Sequence, residues 1–143
     1  MTSEPTQNPC LFCKIINKEI PADIVYEDEH LFVLLDISPI NEGHCLVIPK
    51  NHYINMDEIP DELMGVLFTR VKHTSIAVKK ATGADGITNI INNGEGVGQI
   101  VFHSHIHIIP RHKSDGLKAW HSSSYENAQK KQEIFDAIQK EIN

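Results

Sequence analysis

Apolar positions along the 143-residue chain follow two rhythms. Leu31 to Leu35 is an unbroken apolar run, as expected of a strand buried on both faces, and Leu46-Val47-Ile48 is a second, stopped by Pro49. Ile24-Val25-Tyr26 reads as a short strand and Ile87 to Ile91 alternates as another. Ile100 to Ile109 reads as a long strand ending at Pro110. Between them, residues 61 to 81 carry Leu63, Leu67, Val71 and Val78, with Met64 and Phe68, on one helical face. Pro60 suits the first turn of that helix, Lys79 and Lys80 the last, and Gly83 the C-terminal cap. Leu11 to Lys18 reads as a short helix closed before Ile20-Pro21. Ser123-x-x-Glu126 resembles a capping box opening a C-terminal helix with Ile134, Ile138 and Ile142 on one stripe.

The first two strands are too close together for a parallel crossover helix. Three strands, a long helix and two more strands predict an α+β fold: an antiparallel sheet of about five strands with one long helix packed on it and a C-terminal helix. No repeat or linker divides the chain. It reads as one domain over residues 1–143, with a core at about 10–111 and a tail at 112–143.

Composition narrows the function. The chain is 41% hydrophobic and 22% charged, and no apolar run approaches the ~20 residues of a membrane helix. The start, MTSEPTQNPC, lacks the basic and apolar regions of a secretory signal, so a cytoplasmic location is expected. The net charge is −6 and no Lys/Arg cluster forms a basic stripe, which argues against a nucleic-acid surface but leaves room for a small phosphorylated ligand. The three cysteines, an odd count, argue against a disulfide framework; the close pair Cys10-x-x-Cys13 reads as a metal site or a redox motif. No βαβ context supports the redox alternative, and Cys45 reads as buried packing.

Nine histidines are the compositional oddity. His103, His105 and His107 alternate, so on a strand they line one face, the outer two ~13 Å apart. That is a row of imidazoles along an elongated ligand. The alternatives are a strand turned to solvent, or a metal site. The linear spread makes ligation of one ion by all three hard, though two could bind.

H-x-H-x-H followed by apolar residues resembles the histidine-triad motif of the HIT superfamily. Other segments match in order: Leu34-Leu35-Asp36-Ile37-Ser38-Pro39, the run from Gly43-His44 through Pro49-Lys50 to His52, then Asn92-Asn93-Gly94 and Gly98-Gln99. The likeness runs from about Cys10 to Arg111 and is greatest to the Hint-like bacterial branch with a zinc-binding C-x-x-C. It implies His105 as nucleophile toward the α-phosphorus of a nucleotide, giving a nucleotidyl-histidine intermediate that water hydrolyses. It places His107 and His44 as donors to phosphoryl oxygens, and Gln99 at the bridging atom or leaving group. It places Asp36 on the ribose hydroxyls, Ile37 and Phe12 about the base, and Asn92 and Gly98 in the phosphate loop. It also implies Cys10, Cys13, His52 and His103 as ligands of a structural Zn²⁺, and a homodimer whose sheets join.

Read alone, several of these residues have plainer roles. Asp36 with Ser38-Pro39 can start a turn, Gln99 can pair with backbone, and Phe12 and Ile37 can be core. The apolar face from Leu63 to Val78 suits a dimer interface or plain core. Ile100 departs from the family pattern, where Ser or Thr follows the glutamine and its hydroxyl helps hold phosphate; at that position a backbone N–H is left to serve. In the tail, His112, Trp120 and His121 fall in the segment that approaches the active site in the family; Trp120 suits a leaving-group contact or a packing anchor.

The resulting expectation is a purine nucleoside phosphoramidate hydrolase. Hydrolysis of diadenosine polyphosphates is the alternative within the fold; a nucleotidyl transferase fits less well, since the superfamily's transferases carry Gln where this chain has His107. A nucleotide-binding regulator with little turnover, kept open by Ile100, and a metal-storage protein, suggested by the histidine count, are alternatives of other classes.

Overall fold

The structure, a computed structural model, describes residues 10–118 and 121–142; Trp120 lies outside the described residues. A short helix α1 (Leu11–Ile16) leads into strands β1 (Ile24–Glu27), β2 (Leu31–Leu35) and β3 (Cys45–Pro49). A 3₁₀ turn (Met56–Glu58) precedes helix α2 (Asp61–Thr82). Strands β4 (Gly86–Ile91) and β5 (Ile106–Arg111) follow, then helix α3 (Ala128–Ile142). The strands form one antiparallel sheet in the order β1-β2-β3-β5-β4, the α+β architecture the apolar rhythms predict.

Alternation sorts the side chains onto two faces. Leu31, Val33, Cys45, Val47, Ile106 and Ile108 pack against Leu67, Val71 and Val78 of α2. Burying one such aliphatic side chain stabilises the fold by roughly 1.5–3 kcal/mol. Phe32, Leu34, Leu46 and Ile48 point the other way and pack on Phe12 and Ile15 of α1. This double burial explains the unbroken apolar runs of β2 and β3. On the second face the cover is a six-residue helix, too short to span the sheet, and a cleft lies beside it.

Several boundaries differ from expectation. The strand expected over Ile100–Ile109 is Ile106–Arg111. Residues 99–105 leave the ladder because their polar groups bind the loop after β3: Ser104 N–H donates to the Tyr53 carbonyl at 2.6 Å, and Gln99 Nε2 donates to the Ile54 carbonyl at 2.5 Å. Strand β5 runs through Pro110 because its pairing with β3 reaches only Ile108, so no ladder bond is lost at the proline. Helix α2 takes Pro60 as its N-cap residue, and Gly83 ends it in the left-handed conformation at φ 66°. The capping box Ser123-x-x-Glu126 does not form. Asn127 caps α3 instead, its Oδ1 accepting the Lys130 N–H at 2.8 Å. Ile134, Ile138 and Ile142 share a stripe on α3, where no residue is buried.

Candidate active site and metal centre

Each functional histidine has one ring nitrogen fixed by a partner, and the partner assigns the tautomer. His103, fully buried, donates Nε2–H to the Pro49 carbonyl at 2.7 Å. Its Nδ1 lone pair therefore faces Cys10 Sγ at 3.4 Å, Cys13 Sγ at 3.6 Å and His52 Nδ1 at 3.2 Å. Cys13 Sγ lies 3.4 Å from His52 Nδ1. Around a tetrahedral ion with N at about 2.0 Å and S at about 2.3 Å, the N···N and N···S edges are about 3.3 and 3.5 Å. The four donors are thus spaced as one coordination shell, all within 4.8 Å of one another, and can hold a metal ion. Cys10 doubles as the N-cap of α1, its sulfur accepting the Cys13 N–H at 3.4 Å.

Two residues on, His105 donates Nδ1–H to the His103 carbonyl at 2.7 Å, which leaves the Nε2 lone pair as its reactive position. His105 and His107 both line the cleft, their ring centroids 4.9 Å apart. On β3's side, Ile40 N–H donates to His44 Nδ1 at 3.1 Å, so His44 carries its proton on Nε2 and donates it to His107 Nδ1 at 2.8 Å. His107 in turn is left with Nε2–H as a donor. Asp36, His44 and His107 bring ligand atoms together as well, but the proton on His44 Nε2 is given to His107, which makes these two rings a hydrogen-bonded pair with the Asp36 carboxylate close by. The Asp36 Oδ2 lies 3.6 Å from His44 Nε2, while its Oδ1 accepts the Ser38 N–H at 2.8 Å in a tight turn.

The rings are held uncharged. Burial pushes His107 down to about 4, with His105 and His44 adding to the effect, and burial pushes His103 down to about 4 despite its bond to the Pro49 carbonyl. Burial lowers His44 and His105 too, against the opposing pull of Asp36. Neutral imidazoles at pH 7 offer one lone pair at His105 and one N–H at His107.

The cleft holds about 430 Å³ and is lined by apolar side chains together with these histidines. Phe12, Ile15, Ile20, Leu34 and Leu46 give it apolar walls, and His105 and His107 line it together with Gly98, Ile100, Asp36 and Ile37. Phe12 is buried and packs edge-on against His105 at 5.1 Å and His103 at 5.8 Å, so it is both wall and core. Ile37 and Ile100 are almost fully exposed at the rim. Gly98 has φ +102°, and a Cβ there would meet Asn92 Nδ2 at 3.2 Å, so Asn92 braces the loop bearing Gly98. Gln99 is buried and spends its amide on backbone: Oε1 accepts Gly94 N–H at 2.9 Å and Nε2 also reaches the Val101 carbonyl at 3.3 Å. In this structure it ties the glycine loop to the loop after β3.

Sequence reading missed the Pro49 carbonyl, the anchor of His103, and the Ile20-Pro21-Ala22 wall. Ile20-Pro21 gave a signal, but only as a helix stop. The alternation of the triad histidines was read as one strand face; in fact only His107 lies within β5, and His103 and His105 sit on the anchored segment before it.

Fold and site together define a class, α+β proteins that line an apolar cleft with uncharged imidazoles. The sequence model of the HIT domain matches residues 17–114, and the chain belongs to that family. It is 44% identical over 122 residues to the adenylylsulfatase HINT3 of Arabidopsis thaliana, covering 85% of this chain but 61% of that protein, so it spans less than two thirds of that relative. The crystal structure of a HIT family member from Bacillus subtilis superposes with TM-score 0.84 at 42% identity, covering 93% of this chain and 96% of that one. A Zn-bound histidine triad family protein from Mycobacterium smegmatis superposes with TM-score 0.72 at 32% identity, covering 92% and 94%.

Proposed function

We propose that the chain hydrolyses purine nucleotides of the form nucleoside 5′-phosphate–X at the α-phosphorus, with a phosphoramidate, in which X is an amine, as the preferred substrate. The observation that carries this reading is the 2.7 Å bond from His105 Nδ1–H to the His103 carbonyl, which leaves Nε2 unprotonated on a ring that lines the cleft. The base packs on the apolar walls, beside Phe12 and Ile37, and Asp36 accepts from the ribose hydroxyls. The loop of Asn92, Gly98 and Ile100 faces the phosphate, with backbone N–H where the family has a hydroxyl.

His105 Nε2 bonds to phosphorus as the P–N bond breaks. The departing amine keeps the electron pair and takes up a proton. Water then cleaves the P–Nε2 bond, its hydroxyl going to phosphorus and its remaining proton to solvent, which restores His105. His107, with His44 behind it, donates to the phosphoryl oxygen as charge builds there, while Gln99 acts by holding the loop. The HINT3 relative, named as an adenylylsulfatase, supports an α-phosphorus substrate class in which X can vary.

Zinc is the ion we assign to Cys10, Cys13, His52 and His103, since two sulfurs and two nitrogens at tetrahedral spacing match its preference. When bound it supplies a structural clamp. Replacing both cysteines with serine is expected to strip the ion and lower the thermal midpoint; unchanged zinc content defeats this ligand set. We place the protein in the cytoplasm as a homodimer; among the described residues no helix is long and apolar enough to cross a membrane. The open edge of β4 gives two sheets a place to join, which light scattering on the purified chain tests.

The deciding experiment compares adenosine 5′-phosphoramidate, diadenosine polyphosphates and adenylyl sulfate, with rapid quenching to trap the intermediate. We expect fastest turnover of the phosphoramidate and a phosphorus adduct on His105. Faster dinucleotide cleavage moves the reading to a polyphosphate hydrolase. Nucleotide binding without turnover of any of the three makes the protein a regulator, the alternative that Ile100, in place of the family's hydroxyl residue, keeps open.

A further inference from the structure

His103 touches both centres. Its ring Nδ1 is a donor of the cysteine–histidine cluster, its Nε2 is fixed on Pro49, and its own carbonyl receives the His105 Nδ1–H. Phe12 makes a second connection, since it lies between the donors Cys10 and Cys13 on α1 and meets the His105 ring edge-on at 5.1 Å. The segment bearing His103 and His105 has no ladder of its own and depends on such tethers. Four donors within 4.8 Å of one another, four of their pairs at 3.2–3.6 Å, repel unless a cation or a proton sits among them.

We propose that the loaded donor cluster sets the tautomer and aim of the nucleophile through two arms of this chain, the His103 main chain and the Phe12 ring. This rests on the reading of His105 as nucleophile. Without the ion, the donors spread, α1 loosens, and both the carbonyl and the ring that hold His105 move. The Nδ1–H form of His105 is then no longer enforced, and its Nε2 lone pair is lost from part of the population. His103 is a positioning residue that acts on the substrate through His105; Phe12 aims the same ring and also walls the cleft beside the base. A clamp that served only global stability would leave the His105 tautomer unchanged in any molecule that stays folded.

The test reads the tautomer directly, by long-range ¹⁵N–¹H correlation spectra of the full chain, with no substrate present. The zinc-loaded protein is expected to show His105 as a single Nδ1–H form. Stripping with a chelator is expected to give a mixture, and one equivalent of Zn²⁺ to restore the single form. His52→Ala, which removes an exposed donor, is expected to give the mixture at a higher free-zinc level than wild type. Phe12→Leu keeps an apolar wall and the metal donors. It is expected to lower kcat on adenosine 5′-phosphoramidate about tenfold or more, with KM changed less than about threefold.

A single Nδ1–H form in stripped protein that is still folded overturns the proposal, as does a purified chain that binds no metal. If stripped protein unfolds, Phe12→Leu decides: an unchanged tautomer and unchanged kcat with zinc retained overturn it. Should no phosphoramidate be turned over, the proposed activity fails, yet the tautomer spectra of wild type, stripped protein and Phe12→Leu still decide the coupling.

Discussion

At the residue scale, what matters is where each imidazole keeps its proton. The His103 carbonyl puts it on Nδ1 of His105, and Ile40 N–H puts it on Nε2 of His44. A ring with the opposite tautomer has its lone pair on the wrong side. His105→Ala should therefore abolish turnover, by at least about a thousandfold, while AMP still binds in calorimetry, because the cleft walls and Asp36 remain. Gly98→Ala tests the loop beside it. At φ +102°, with Asn92 3.2 Å from the new Cβ, the substitution is expected to cost about 1–3 kcal/mol in denaturant unfolding and to raise KM more than it lowers kcat. These identities were legible in the sequence as a row of histidines; their tautomers were not, because distant carbonyls and amides assign them.

Elements set the row in place by unequal means. Strand β5 carries only His107, paired opposite Leu46 on the α1 face of the sheet. The segment before it is held by Tyr53, Ile54 and Pro49, which are remote in sequence and contribute backbone atoms. Period-two reading could not see this, since alternation of side chains looks the same until the ladder's hydrogen bonds are counted. Just after β5, Asp115 accepts from Arg111 Nε at 2.8 Å, from Asn41 Nδ2 at 3.1 Å, and from the His112 and Leu117 amides at 3.0 and 2.9 Å. Those donors hold its carboxyl well below the usual carboxylate range, the Arg111 side chain most of all. Asp115→Ala is expected to speed amide exchange across residues 112–117 while leaving β2 and β3 protected. Equal acceleration in those strands would show that the turn supports the whole sheet.

For the whole molecule, buried neutral histidines couple stability to pH. His107 is at about 4 in the folded chain and near 6.5 when exposed, so between these values the unfolded state binds the extra proton. Stability is then complete above about pH 6.5 and falls as pH drops toward 4. His44, shifted in the same direction, adds to the fall. The thermal midpoint should decline over that window, and His107→Asn, which does not titrate there, should flatten the decline. An unchanged slope in the variant would assign the acid sensitivity elsewhere.

The order of strands and helices and the apolar faces were settled by local pattern, because burial periodicity is a property of neighbours in sequence, while the members of both centres were indicated by the resemblance to the HIT family. Folding alone decided that Cys10 and Cys13 meet His52 and His103, that Gln99 turns to the backbone, and that one histidine serves both centres. Those outcomes depend on which remote groups satisfy each buried polar atom, and only the closed sheet with its anchored loops supplies the partners.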